Sequence, residues 1–172
     1  MGSTSQTADI QFTIREYRAA DFDRLWQIDQ LCFPPGIAYT QMELSGFITR
    51  RNAITLVGEA QPAQDNAQQE PPKTPHSIAG YVIAHSVRRK YGRILTLDIV
   101  PEARRFGLAT RLMNAAEERL RSLGCSEIYL ETAVDNEAAL RLYRKLGYEI
   151  LRILPEYYAS HSLDAFQMSK RL

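Results

Sequence analysis

Three short stretches of this chain carry residue types that chemistry could use. Arg104-Arg105-Phe106-Gly107-Leu108-Ala109 follows closely on an apolar run ending in Val100-Pro101. The spacing Arg-x-x-Gly-x-Ala puts small residues where backbone must approach a ligand, and the helix that follows opens with unpaired N–H groups. Such a terminus favours an anion by about 0.3–1 kcal/mol per charge, before any hydrogen bond from Arg104 or Arg105. The loop is neither a Walker A loop nor a GxGxxG dinucleotide loop. On these residues alone it is either an anion cradle or a plain strand-to-helix turn. Next, Tyr129-Leu130-Glu131-Thr132-Ala133-Val134-Asp135-Asn136 places Glu131 in an otherwise apolar strand. A carboxylate is costly there unless water or a partner reaches it, and a raised pKa would suit a general base. The alternative is an outward-facing residue on an edge. Tyr143 lies seven residues further on, on a helical apolar stripe, which ordinarily means core packing.

Other polar groupings lead nowhere sharper. The basic runs Arg88-Arg89-Lys90 and Arg141-Leu142-Tyr143-Arg144-Lys145 hint at RNA, but solvated faces or contacts to a phosphorylated cofactor explain them with less strain. Lys and Arg total 21 against 20 Asp and Glu, a net charge of +1, which argues against binding nucleic acid by bulk charge. His161-Ser162-Leu163-Asp164 has the members of a triad without a nucleophile elbow and reads as a polar loop. His76 and His85 have no ligand partner in sequence, and Cys32 and Cys125 lack metal-binding spacing, so no metal is expected. The cysteines read as buried thiols in a reducing compartment, the cytoplasm. No run approaches the roughly 18 apolar residues of a membrane span. The opening MGSTSQTADIQ has neither the basic nor the apolar region of a secretory signal.

The elements that must position these residues follow from periodicity. The chain has 172 residues, 45% apolar and 24% charged, enough for one domain with its own core. Residues 1–9 read as a flexible tail and 10–172 as a single domain. Strands are expected at Phe12–Tyr17, Ile54–Ala60, Ile78–Val87, Arg93–Val100, Glu127–Val134, Tyr148–Leu154 and Ala165–Leu172. Asp21 can cap a helix with Phe22, Leu25, Ile28 and Cys32 on its apolar face, ended by Pro34-Pro35-Gly36. Thr40-Gln41-Met42-Glu43 is a capping box for the next helix. A third helix spans about Gly107–Leu123, with Leu108, Leu112, Ala116, Leu120 and Leu123 on one stripe before Gly124. Asn136 caps a fourth, with Leu140, Tyr143 and Leu146 on its apolar side and Gly147 after it. Lys90-Tyr91-Gly92 reads as a turn. The segment 61–77, with four prolines and few large apolar residues, reads as a mobile inserted loop. The order β-α-α-β-β-β-α-β-α-β-β predicts an α/β fold with a sheet of mixed direction.

Together, LDIVPEARRFGLATRLM and IYLETAVDNEAALRLYRKLGYEI resemble the two acetyl-CoA motifs of the GNAT superfamily of N-acetyltransferases, the second ending in its Leu-Tyr-x-x-x-Gly-Tyr pattern. Cys32-Phe33-Pro34, the Leu-Glu at 130–131 and Glu156-Tyr157-Tyr158, placed after the sixth strand, are similar to protein N-terminal acetyltransferases of the RimI and NatE types. The resemblance implies a mostly antiparallel central sheet of about seven strands flanked by about four helices. It implies acetyl-CoA as cosubstrate, held by backbone near Ile99 and Val100 at the pantetheine and by Arg104, Arg105, Phe106, Gly107, Leu108, Ala109 and Thr110 around the pyrophosphate. Asn136 would meet the pantetheine arm. Glu131 would take a proton from the substrate amine, and Tyr143 would protonate the leaving thiolate after direct attack in a ternary complex. Phe33, Tyr39, Tyr157 and Tyr158 would line an acceptor groove for a protein or peptide N-terminus, a ribosomal protein being one such partner. Ala109 stands where the motif ends in Gly, and Pro35-Gly36-Ile37-Ala38 lengthens the first helix-to-helix loop. A lysine side chain, a small amine and a non-catalytic CoA-binding role are the competing readings.

Overall fold

A computed structural model describes residues 11–61, 78–88 and 90–172. The expected tail at 1–9, the inserted loop beyond Gln61, His76 and Arg89 of the first basic run lie outside the described residues.

The order of elements matches the pattern. β1 (Phe12–Glu16) leads to α1 (Phe22–Cys32) and α2 (Gln41–Ile48), then β2 (Ala53–Ala60), β3 (Ile78–Arg88) and β4 (Tyr91–Ile99). α3 (Leu108–Ser122), β5 (Glu127–Ala133), α4 (Glu137–Lys145), β6 (Glu149–Tyr158) and β7 (Leu163–Arg171) complete the chain. The seven strands form one sheet in the order β1-β2-β3-β4-β5-β7-β6. Every pairing is antiparallel except β4 with β5.

That parallel pairing shapes the molecule. It joins only Tyr91 to Glu127, Gly92 to Ile128 and Arg93 to Tyr129. Beyond Arg93 both strands continue, β4 still paired to β3 and β5 to β7, but not to each other. The sheet therefore splits into two halves that part towards the C-terminal ends of β4 and β5. Open α/β sheets receive ligands at such ends, where strand order reverses.

α3 lies on one face, with Leu108, Leu112, Met113, Ala116 and Leu120 fully buried. Gly58 lets it close in, because a Cβ there would meet Leu108 Cδ1 at 2.4 Å. α1 packs on the opposite face through Leu25 and Ile28. Several expectations shift. Asp21 does not cap α1 with its side chain; it accepts from the two terminal Arg15 nitrogens, Nη1 at 2.7 Å and Nη2 at 3.0 Å, and from the Arg18 N–H. Leu123 is 47% exposed, because it lies at the end of α3 where the stripe has rotated off the sheet. Tyr91 and Gly92 already belong to β4 rather than to the turn. Glu156, Tyr157 and Tyr158 do not follow the sixth strand. They belong to it, past an irregularity between Leu154 and Tyr158 at which Glu156 takes a φ of 50°.

Candidate active site

Strand register and hydrogen bonds bring Glu131, Tyr157 and Tyr39 to the gap between β4 and β5. On one wall, the backbone after β4 makes a sharp entry into α3. Arg105 (φ 70°) and Gly107 (φ 80°) both take the left-handed conformation. A Cβ built on Gly107 meets nothing within 4 Å, so the space before the helix is open. Among the described residues no side chain caps this end of α3. The first amides of the helix thus have no side-chain acceptor, the arrangement an anionic pyrophosphate requires.

The neighbouring residues divide by role. Leu108 is buried to 1% and belongs to the core, so only its backbone faces the loop; Phe106 is 42% exposed. Ala109 and Thr110 are half-buried. Arg104 and Arg105 are both exposed, and Arg104 Nε donates to Ile99 O at 3.0 Å. The Cys32 thiol donates to the same carbonyl at 3.4 Å. Val100 is committed within the fold, its N–H to Ala79 O and its carbonyl to Ala103 N–H. Because peptide groups alternate sides along a ladder, Leu97 and Ile99 are the residues whose backbone turns to the gap. Asn136 accepts the Ala139 N–H through its side-chain oxygen at 3.1 Å, so its amide NH₂ is the part left for a ligand.

On the other wall, β5 register sets Glu131 opposite Gln167 of β7. Gln167 Nε2 donates to Glu131 Oε1 at 2.9 Å, and Arg93 grips Oε2 through Nε at 3.0 Å and Nη2 at 2.8 Å. Arg93 Nη2 also donates to the Tyr157 hydroxyl at 3.0 Å. Glu131 is thus a buried, fully engaged carboxylate, its side chain 8% exposed, and Arg93 ties it to the tyrosines of β6. The rings of Tyr157 and Tyr158 pack edge to face at 5.0 Å. Tyr39 completes the rim, its hydroxyl donating to Leu95 O at 3.4 Å on the unpaired stretch of β4. Phe33, at the end of α1, is half-buried.

Tyr143 is buried to 8% against Tyr148, ring centroids 5.9 Å apart. Burial foremost, then the charge of Asp98, pushes its pKa well above the ordinary phenol value. It stays protonated across any working pH and is available only as a donor. Asp98 itself is 1% exposed, opposite Tyr81 of β3, and accepts from Thr96 Oγ1 at 2.6 Å. Desolvation pushes its pKa up to about 7.

Sequence reading missed Arg93, Gln167, Asp98 and Asp29. Asp98 gave the same signal as Glu131, a carboxylate inside an apolar strand, and Asp29 one of similar kind, a carboxylate beside the apolar stripe of α1. Arg93 and Gln167 gave none, because only the register brings them to Glu131. Among the described residues, no three His, Cys, Asp or Glu side chains are placed to hold a metal ion, and no helix is long and apolar enough to cross a membrane.

The split sheet, the open start of α3 and the motifs flanking them define the class. Residues 22–148 match the acetyltransferase (GNAT) family, and the chain belongs to it. It is similar to the N-alpha-acetyltransferase of Saccharolobus solfataricus, 29% identical over 94% of this chain and 93% of that protein. The N-alpha-acetyltransferase of Sulfurisphaera tokodaii is 25% identical over 94% of both. Among solved structures, Ard1 from Thermoplasma volcanium superposes with a TM-score of 0.76 at 25% identity, covering 94% of this chain and 97% of that one.

Proposed function

We propose that this protein transfers the acetyl group of acetyl-CoA to the N-terminal α-amine of a protein or peptide. The observation that carries this reading is a single gap in the sheet, with an anion-receptive helix start on one wall and a tyrosine-lined rim holding Arg93 and Glu131 on the other. The near full-length similarity to proteins named N-alpha-acetyltransferase supports the α-amine as acceptor.

In this reading the amides from Arg105 to Thr110 surround the pyrophosphate, with the Arg105 guanidinium beside it. Leu97 and Ile99 present backbone groups to the pantetheine and the thioester carbonyl, and Asn136 offers its NH₂ to the same arm. Arg104 and Cys32 hold the Ile99 carbonyl in place. The α-amine attacks the thioester carbon, a C–N bond forms and the C–S bond breaks. Glu131 draws the amine proton away through water, and Tyr143 donates its proton to the departing thiolate. Because the reactants meet directly, positioning is the main contribution of the protein.

Proton energetics favour the same acceptor. An α-amine has a pKa near 7.7–8.0 and lysine one near 10.4, so the neutral nucleophile costs about 3–4 kcal/mol less at the chain end. We place the enzyme in the cytoplasm, where nascent chain ends, ribosomal proteins among them, are available. The deciding experiment uses one peptide with an internal lysine, its N-terminus free or blocked, with CoA release and the site of acetylation read by mass spectrometry. The free form alone should react; equal acetylation of both would make lysine the acceptor.

A further inference from the structure

The Tyr39 peptide unit is gripped on both sides by α1. Its N–H donates to Asp29 Oδ2 at 2.8 Å. Its carbonyl accepts from Gln30 Nε2 at 2.9 Å and from Trp26 Nε1 at 3.2 Å. Gln30 Nε2 also donates to Asp29 Oδ2 at 2.9 Å, so the two sides of the clamp are joined. The side chain is held as well, the ring edge to face on Phe47 at 4.9 Å and the hydroxyl on Leu95 O.

The anchor of the clamp is expensive. Asp29 is completely buried, and its second oxygen, Oδ1, has no partner among the described residues. Desolvation raises its pKa to about 6, while the Tyr39 and Gln30 hydrogen bonds oppose that rise. An apolar residue of similar volume would suit this stripe of α1 better, since a buried carboxylate is costly unless fully satisfied. Packing therefore does not account for Asp29, whereas the Tyr39 N–H does. The lengthened loop Pro35-Gly36-Ile37-Ala38 runs straight into Tyr39 and needs such a tether.

We propose that Asp29 is a positioning residue for the acceptor. With Trp26 and Gln30 it fixes Tyr39 over the unpaired end of β4, and so sets the entry through which the peptide N-terminus reaches the thioester. Asp29 touches neither substrate. It acts through Tyr39, and this rests on the acceptor role given to Tyr39 above.

The test compares the full chain with Asp29→Leu, which keeps the branch at Cγ but removes the acceptor, and Asp29→Asn, which keeps an oxygen for the Tyr39 N–H. Steady-state kinetics with an α-amine peptide should show Asp29→Leu raising KM for peptide about tenfold or more, the scale of a lost hydrogen bond to a charged group. KM for acetyl-CoA should stay unchanged, and Asp29→Asn should restore most of the peptide KM. Trp26 is the single tryptophan of the chain, so its fluorescence should respond to peptide in the parent and lose that response in Asp29→Leu. If Asp29→Leu fails to fold, Gln30→Met carries the same test, because Gln30 is exposed. An unchanged peptide KM in a folded variant, or equal rises in both KM values, would overturn the proposal. A parent that binds acetyl-CoA yet acetylates no α-amine peptide would overturn the acceptor reading together with it.

Discussion

Glu131 and Tyr143, the proposed proton acceptor and donor, sit in opposite electrostatic settings. Glu131 is gripped by Arg93 and oriented by Gln167, both oxygens engaged. Tyr143 is buried beside Asp98 and held as a neutral phenol. A carboxylate to accept and a phenol to donate is the division of labour that direct transfer between an amine and a thioester needs. Glu131→Gln should lower kcat by about 10²-fold or more, because it removes the acceptor and leaves Arg93 facing Tyr157 without its counter-ion. Tyr143→Phe should lower kcat on a similar scale. Neither should alter acetyl-CoA affinity measured by calorimetry. An undiminished rate in Glu131→Gln would make that residue a holder of Arg93 and leave the proton to water.

At the scale of elements, the start of α3 depends on backbone conformation more than on any side chain. Gly107 sits at φ 80° with open space where a side chain would project. Gly107→Val should therefore act twice. A β-branched residue in the left-handed region costs about 1–3 kcal/mol, which lowers the melting temperature without ligand. Its side chain would also project into the open space beside the proposed pyrophosphate cradle, so the rise in melting temperature produced by acetyl-CoA in the parent should vanish. Thermal unfolding with and without acetyl-CoA separates the two effects. A Gly107→Val protein that keeps the full ligand-induced rise would take Gly107 out of the cradle.

For the whole molecule, two buried acids, Asp98 and Asp29, make stability depend on pH in the same sense. Asp98 titrates near 7 in the folded protein and near 3.8 when unfolded. Between those values the folded state retains a proton that the unfolded chain has released. Its contribution to stability therefore falls as pH rises from about 4 to about 7 and is level above that. Asp29, near 6, acts in the same direction. Asp98→Asn keeps an oxygen for Thr96 and has no proton to lose. Its melting temperature should gain on the parent progressively across that window and hold the gain at higher pH. A difference that stays constant from pH 4 to 8 would show Asp98 titrating normally.

The periodicity of the chain was sufficient for the order of strands and helices, because alternation and helical stripes report burial within one element, and caps such as Thr40 and Asn136 act over three residues. The Arg-x-x-Gly-x-Ala loop was legible for the same reason, since a left-handed glycine before a helix is a local requirement. Leu123 and Asp21 were misread where a neighbour intervened, the end of the helix in one case and Arg15 in the other. Arg93, Gln167 and the clamp on Tyr39 were not legible at all. Arg93 reaches Glu131 across 38 positions and Tyr157 across 64, and Asp29 reaches Tyr39 across a loop. Such contacts follow from strand register and from the packing of α1 on the sheet. A side-chain pattern along the chain encodes which face is buried but not which distant residue lies opposite, and that pairing was decided only when the two halves of the sheet came together and parted.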